Sequence, residues 1–245
     1  MNEVIKVTDL SFEYPDGTRA LNAFSMTIFK GETVGIIGPN GAGKSTLLLH
    51  LNGIHGLDDQ VPPSVRIEGI PVTRRNIAEI RKKVGIVFQD PDDQLFTPTV
   101  FDDVAFGPLN EGMRKEEIPE IVRASLKKVG MEACINRTSH HLSFGEKKKI
   151  SLATILSCSP SILILDEPTG NLDPHSRREF ISLIKSLELT ILIATHDLEL
   201  VLELCHRVLI INRGQNIASG DSRTALSNGP LMEENGLEIP LSLRT

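Results

Sequence analysis

The chain contains no tryptophan, a single tyrosine (Tyr14) and only three cysteines among its 245 residues. Cys134, Cys158 and Cys205 are far apart, odd in number and free of any CxxC pairing. That usage argues against a disulfide framework or a zinc site, and predicts small buried apolar residues in a reducing cytoplasm. No apolar run reaches the roughly 18–20 residues that span a bilayer. The opening residues MNEVIKVTDLSFEY alternate like a strand and lack an apolar signal-peptide core, so the chain is expected to stay where it is made. An excess of positive charge is missing too. The formal net charge is -6, a mild argument against a protein that grips nucleic acid by its phosphates. Internal repeats, low-complexity tracts and coiled-coil heptads are absent. What is present is an ordinary globular composition, 40% hydrophobic and 24% charged, with length for one large domain or two small ones.

Hydrophobic patterning orders the rest. Residues 4–30 alternate as two strands around a turn at Pro15-Asp16-Gly17. Thr33–Ile37 is a short β-rich run, and Leu47–Leu51 reads as helix. Strand candidates follow at Val65–Ile70, inside a stretch of prolines and charges at 57–76, and at Val84–Phe88. Residues 99–158 look helical. Ile118, Ile121, Val122, Leu126 and Val129 recur at helical spacing, Gly130 is placed to end that helix, and Lys147–Leu156 is a second candidate. Ile162–Leu165, Thr190–Ala194 and Val208–Ile211 are apolar without alternation, which suits a parallel sheet buried on both faces. A helix over Arg177–Leu187 lies between the first two. The predicted fold is therefore α/β, a parallel core split by a helical insertion. Leu231, Leu237, Ile239, Leu241 and Leu243 make the tail unusually apolar for a free end, so it is expected to dock.

Gly38-Pro39-Asn40-Gly41-Ala42-Gly43-Lys44-Ser45-Thr46 fits G-x-x-x-x-G-K-[ST], a phosphate-cradling loop. Glycines let the backbone approach and turn N–H groups toward one point, and the following helix adds its positive end. Lys44 places a charge on the outer phosphates, and the Ser45 hydroxyl suits Mg²⁺. An apolar strand precedes the loop and an apolar helix follows, as the motif requires.

The apolar run Ile162–Leu165 ends in Asp166-Glu167. Two acids at the end of a buried strand are costly unless they meet a cation or partners. Asp166 suits Mg²⁺ held through its water shell, and Glu167 suits a base that deprotonates an attacking water. The bland alternative, a helix N-terminal acid pair favoured by the dipole, is compatible with Pro168 and Thr169.

With these residues the chain resembles the ATP-binding subunits of ABC transporters, from about residue 4 to 221. Gln89 looks like the Q-loop glutamine, suited to Mg²⁺ and the lytic water. Leu142-Ser143-Phe144-Gly145-Glu146 resembles the LSGGQ signature, with Phe144 in place of its first glycine and Glu146 in place of glutamine. Asn171-Leu172-Asp173 looks like the D-loop. His196 looks like the switch histidine that bonds the γ-phosphate and holds Glu167. Tyr14 looks like the aromatic that stacks on adenine, although Leu10, Phe12 and Tyr14 share one strand face and a core role is the alternative. The resemblance implies a P-loop NTPase core (RecA-like) with an N-terminal antiparallel β-subdomain at about 1–32 and 62–75 and a helical subdomain at about 99–158. The whole forms one ATP-binding domain over 1–222, and 223–245 is a docked extension. It also implies a second ATPase subunit, identical or a paralogue, whose ATP meets Ser143 and Gly145 of this chain. The run Lys147-Lys148-Lys149 is read as a solvated helix face.

Two stretches narrow the resemblance. Gln89-Asp90-Pro91-Asp92-Asp93-Gln94-Leu95-Phe96 and Phe106-Gly107-Pro108-Leu109-Asn110 look like the cobalt/nickel-type ATPases of energy-coupling-factor (ECF) transporters, as do Tyr14-Pro15-Asp16-Gly17 and the Leu-Glu-Ile-Pro-Leu tail. That implies a Mg²⁺-dependent ATPase on the cytoplasmic face of the membrane, with a transmembrane coupling subunit and a substrate-binding membrane subunit as partners. Asp92, Asp93 and Gln94 would lie near the coupling contact; as turn formers they also fit any surface turn. Cobalt or nickel is the implied cargo, with a vitamin as the alternative. His140 and His141 are adjacent and poorly placed to share one ion. A soluble ABC protein of translation or repair would more often have two ATPase units or a long coiled-coil insertion, and a GTPase would want N-K-x-D; the chain has none of these.

Overall fold

The computed structural model describes residues 2–57 and 62–244. Residues 58–61, inside the proline- and charge-containing stretch at 57–76, lie outside the described residues, as do Met1 and Thr245, the end residues of the predicted domain and tail. The chain divides into two compact units, residues 1–84, 162–167 and 188–245 forming the first and residues 85–161 and 168–187 the second.

The first unit begins with the alternating segments. β1 (Glu3–Glu13) and β2 (Arg19–Phe29) form an antiparallel hairpin in which Ile5 faces Ile28 and Phe12 faces Leu21. The predicted single strand Val65–Ile70 is instead two short strands, β4 (Val65–Ile67) and β5 (Ile70–Pro71), because Glu68 and Gly69 turn at positive φ. The four strands make one antiparallel sheet, ordered β2-β1-β4-β5. β3 (Thr33–Ile37) is followed by α1 (Lys44–Leu51). α2 (Ile77–Lys83) follows and runs into β6 (Val84–Val87), which opens the second unit.

Completing the first unit are β7 (Ile162–Asp166), β8 (Thr190–Ala194), α7 (Leu198–Leu204), β9 (Arg207–Asn212), β10 (Gln215–Asp221), α8 (Ser222–Leu226) and α9 (Gly229–Glu234). Here the strands of the second sheet run β10-β9-β3-β8-β7, with β3, β7, β8 and β9 parallel. Ile162–Leu165 and Ile191–Ala194 are almost wholly inaccessible, as strands covered on both faces should be. The register matters most at the carboxyl ends. Ile36 pairs with Ala194, and Ala194 pairs with Asp166. The loops after β3, β7 and β8 therefore leave the sheet side by side, where open parallel sheets place their ligands. The tail lies on this unit: Met232 is fully buried, Asn212 donates to Asn235, and the Ser242 hydroxyl donates to Glu199.

The second unit is helical. α3 (Val100–Asn110), α4 (Ile118–Lys128), α5 (Phe144–Leu156) and α6 (Pro174–Lys185) are its long elements. α4 buries Ile118, Val122 and Leu126 from one stripe, and Gly130 follows at φ 71 as a helix stop. Buried Asp103 accepts from Phe96 N–H, Thr97 N–H and the Ser139 hydroxyl, tying the loops around α3 to its first turn. The Ser157 hydroxyl donates to Val104 O and joins α3 to the end of α5.

Candidate functional site

Gly38–Thr46 runs from the end of β3 into the first turn of α1. Two of its glycines are sterically required. A Cβ on Gly38 would sit 2.0 Å from the Ile211 carbonyl oxygen, and one on Gly43, at φ 105, would sit 2.3 Å from Ala20 O. Backbone therefore packs directly on backbone, and the loop keeps its curve. Lys44, only 9% exposed, donates from Nζ to Gly38 O at 2.7 Å and Pro39 O at 3.1 Å. Its ammonium spans the loop that would hold phosphates. Burial pushes Lys44 below the usual lysine range, and Glu167 and then Asp166 oppose that shift. Ser45 is exposed at the helix start. Tyr14 is half-buried; its hydroxyl lies 2.9 Å from Thr46 Oγ1 and its ring meets Phe12 edge-on at 5.0 Å. The expected adenine-stacking residue is thus anchored to the end of the loop.

Asp166 ends β7 and Glu167 follows at φ 43, in the left-handed region that residues with a Cβ seldom occupy. Three donors from the turn after β8 hold its carboxylate. The Thr195 hydroxyl donates to Oε2 at 2.8 Å, and His196 donates to Oε1 from its backbone N–H at 3.0 Å and from Nδ1 at 2.8 Å. A carboxylate only accepts, so Nδ1 of this exposed ring carries the hydrogen. In this unit the structure thus brings together the phosphate loop, Tyr14, Asp166, Glu167 and His196. Thr195 was not singled out by the sequence; its partner is 28 residues away, and no local pattern marks it.

A hydroxyl and a carboxylate are hard oxygen donors, and Ser45 and Asp166 supply one of each. Among the described residues no cluster of three or more His, Cys, Asp or Glu side chains forms a metal cage. That donor set fits an ion that keeps waters and takes few protein ligands, as Mg²⁺ does.

The remaining expected residues belong to the second unit. Gln89 is exposed just after β6, and it lines a cleft of about 200 Å³ with Asp90, Asp93, Phe144 and Asn171. Ser143 is the N-cap of α5 in a full capping box. Its N–H and hydroxyl donate to Glu146 Oε2 at 2.8 and 2.9 Å, and Glu146 N–H donates back to Ser143 Oγ at 3.3 Å. The Ser143 backbone N–H is the main reason the Glu146 carboxyl is held below its usual range. Phe144 is the first residue of α5 and needs no unusual backbone. Gly145 packs on α6, where a Cβ would meet Ser176 Oγ at 2.8 Å. Asp173 caps α6, accepting from the N–H groups of His175 and Ser176 and from the Ser176 hydroxyl.

Several expectations are corrected. Lys147–Lys149 are not a solvated face. Lys148 is fully buried and donates to Phe88 O at 3.2 Å with its charge over the Phe144 ring, while Lys147 pairs with Asp92 and Lys149 with Glu179. The run looked exposed because three like charges in a row usually are; here each finds a different partner across the unit. Gln94 faces inward, donating to Ser151 O and Thr154 Oγ1. Of the cysteines only Cys205 is buried; Cys134 and Cys158 are half-buried. Burial pushes the Cys158 and Cys205 thiols up to about 12, which keeps both unreactive at neutral pH.

Known proteins resemble this chain over most of its length. A family model described as ABC transporter matches residues 21–170. A putative ABC transporter ATP-binding protein of Streptomyces coelicolor is 49% identical, over 96% of this chain and 90% of that protein. The energy-coupling factor transporter ATP-binding protein EcfA of Methanothermobacter thermautotrophicus is 46% identical, over 97% of this chain and 77% of that protein. The structure of cbiO1 from Clostridium perfringens, part of the ABC transporter complex cbiONQ, superposes with a TM-score of 0.82 at 38% identity, over 96% of this chain and 94% of that one.

Proposed function

Starting from the fact that this chain belongs to the ABC transporter family of ATP-binding proteins, we propose that it is the Mg²⁺-dependent ATPase subunit of an ECF-type importer at the cytoplasmic face of the membrane. The observation that carries the reading is the carboxylate of Glu167. It is fixed by Thr195 and His196 beside the loop after β3, in the row of strand ends set by Ile36, Ala194 and Asp166.

ATP lies with its phosphates over the N–H groups of Gly38–Thr46, Lys44 neutralises the outer phosphates, and Tyr14 stacks on adenine. Ser45 and Asp166 would hold Mg²⁺. When bound, the ion would supply positive charge against the negative charge that grows on the phosphates. The water oxygen bonds the terminal phosphorus, the bond from that phosphorus to its bridging oxygen breaks, and ADP leaves with the electron pair. The water's proton goes to Glu167. Ser143 and Gly145 serve the γ-phosphate of a second ATPase subunit, so closure of the pair depends on ATP and hydrolysis releases it. A likeness to EcfA and cbiO1 supports the ECF type and its membrane subunits. Cobalt or nickel as cargo rests on the residue pattern alone, with a vitamin importer as the alternative.

Glu167→Gln tests the core of the reading. The amide keeps the shape and loses the base, so turnover should fall by about 10²-fold or more while ATP still binds. Near-normal hydrolysis in a phosphate-release assay would sink the assignment.

A further inference from the structure

The lone pairs of Glu167 can be counted. An ionised carboxylate offers about four acceptor sites, two on each oxygen. Oε1 takes both donors of His196, the N–H at 3.0 Å and Nδ1 at 2.8 Å, and is filled. Oε2 takes only the Thr195 hydroxyl, at 2.8 Å, and keeps one open site. A proton taken from water can therefore be accepted at Oε2. We propose that Thr195 is a positioning residue for ATP hydrolysis: its hydroxyl aims Oε2 of Glu167 so that the remaining lone pair meets the attacking water. The proposal rests on the assignment of Glu167 as the base.

The hydroxyl itself is fixed on every side. Thr195 is fully buried. Its N–H donates to Ile36 O at 3.1 Å, on the strand that feeds the phosphate loop, so its backbone is set by the sheet. Its Oγ1 accepts from Asp197 N–H at 3.0 Å, which directs the hydroxyl hydrogen to Glu167. Asp197 in turn caps α7 by accepting from Leu200 N–H. At the other end, Glu167 N–H donates to Ala194 O at 2.9 Å, so both the backbone and the side chain of the base are tied to the end of β8. A buried threonine usually satisfies itself on a backbone carbonyl. This one spends its only hydrogen on the carboxylate oxygen left open for chemistry.

The full chain is assayed for steady-state hydrolysis with saturating Mg²⁺ as wild type, Thr195→Val, Thr195→Ser and Glu167→Gln. Thr195→Val keeps the shape and removes the donor; kcat should fall about tenfold or more, with KM for ATP within about twofold. Thr195→Ser restores the hydroxyl and should stay within about threefold of wild type. Wild-type kcat in Thr195→Val overturns the proposal. So does a rise in KM alone, which would place Thr195 in ATP binding, or a Thr195→Ser variant as slow as Thr195→Val. If Thr195→Val gives no cooperative thermal transition, Thr195→Cys replaces it. The thiol is a weak donor of similar size, and a rate matching that of Thr195→Ser would overturn the proposal. The two assignments fail differently: an active Glu167→Gln removes the base, whereas an inactive Glu167→Gln beside an active Thr195→Val removes only the role of Thr195.

Discussion

In the proposed reading, Lys44 is a main contributor to nucleotide affinity. Its ammonium already donates to Gly38 O and Pro39 O, at 2.7 and 3.1 Å, so it is held at the mouth of the loop rather than searching for a phosphate from solution. Burial disfavours its charge, while Glu167 and Asp166 support it. Hydrogen bonds to charged groups contribute about 1.5–3 kcal/mol, so Lys44→Ala should weaken ATP binding by about ten- to a hundredfold. Titration calorimetry on the full chain reads this directly, and an unchanged Kd would refute the role. At this scale the sequence was informative where neighbours in the chain are neighbours in space, as in Gly38–Thr46. It was silent where a partner is distant. Thr195 reaches Glu167 across 28 positions and Lys148 reaches Phe88 across 60, and neither bond leaves a mark on local pattern.

At the scale of elements, the start of α5 carries Phe144 and Glu146, the two departures from the LSGGQ pattern. The capping box spends the Ser143 hydroxyl on Glu146 and places a carboxylate in the first turn. A negative charge there is favourable for the helix, since it faces the positive end of the dipole. The same charge opposes a phosphate brought to that end, and it occupies the hydroxyl that a γ-phosphate would use. Glutamine at this position keeps the capping box and removes the charge. A helix-terminal charge is worth about 0.3–1 kcal/mol, so Glu146→Gln should lower the ATP concentration for half-maximal hydrolysis by about two- to fivefold. No change, or a rise, in a titration of rate against ATP would show that this end of α5 does not meet a phosphate. Element types are legible because parallel strands and amphipathic helices carry different periods; the apolar pattern marks α5 only from Lys147, and its true start is legible from the signature, where Ser143 caps it. The split of β4 from β5 escaped because the turn at Glu68-Gly69 is bracketed by apolar residues on both sides.

For the whole molecule, the two units divide the work. The first carries Gly38–Thr46, Asp166, Glu167 and His196, and the second carries Gln89, Ser143, Gly145 and Asp173. Among the described residues no helix is long and apolar enough to cross a membrane, and the proposed function gives the chain membrane subunits as partners. The second unit has a surface suited to one. Phe96 and Phe106 are 61% and 48% exposed and meet edge-on at 5.0 Å, and Leu109, 46% exposed, lies one turn further along α3 from Phe106. Large apolar side chains gathered in the open mark an interaction site more often than chance exposure. The sequence pointed to this neighbourhood through Asp92–Gln94. In the structure Asp92 pairs with Lys147 and Gln94 bonds Ser151 and Thr154, so the exposed apolar side chains of this neighbourhood are those of Phe96 and α3. The double variant Phe96→Ser, Phe106→Ser tests the assignment. Purified from its own membranes, the wild-type chain should bring its membrane subunits with it, and their identity as metal- or vitamin-binding proteins would settle the cargo. The double variant should lose most of that co-purification while the free chain hydrolyses ATP at an unchanged rate, because neither phenylalanine contributes to the nucleotide residues. Full retention of the membrane subunits would place the contact elsewhere on the chain.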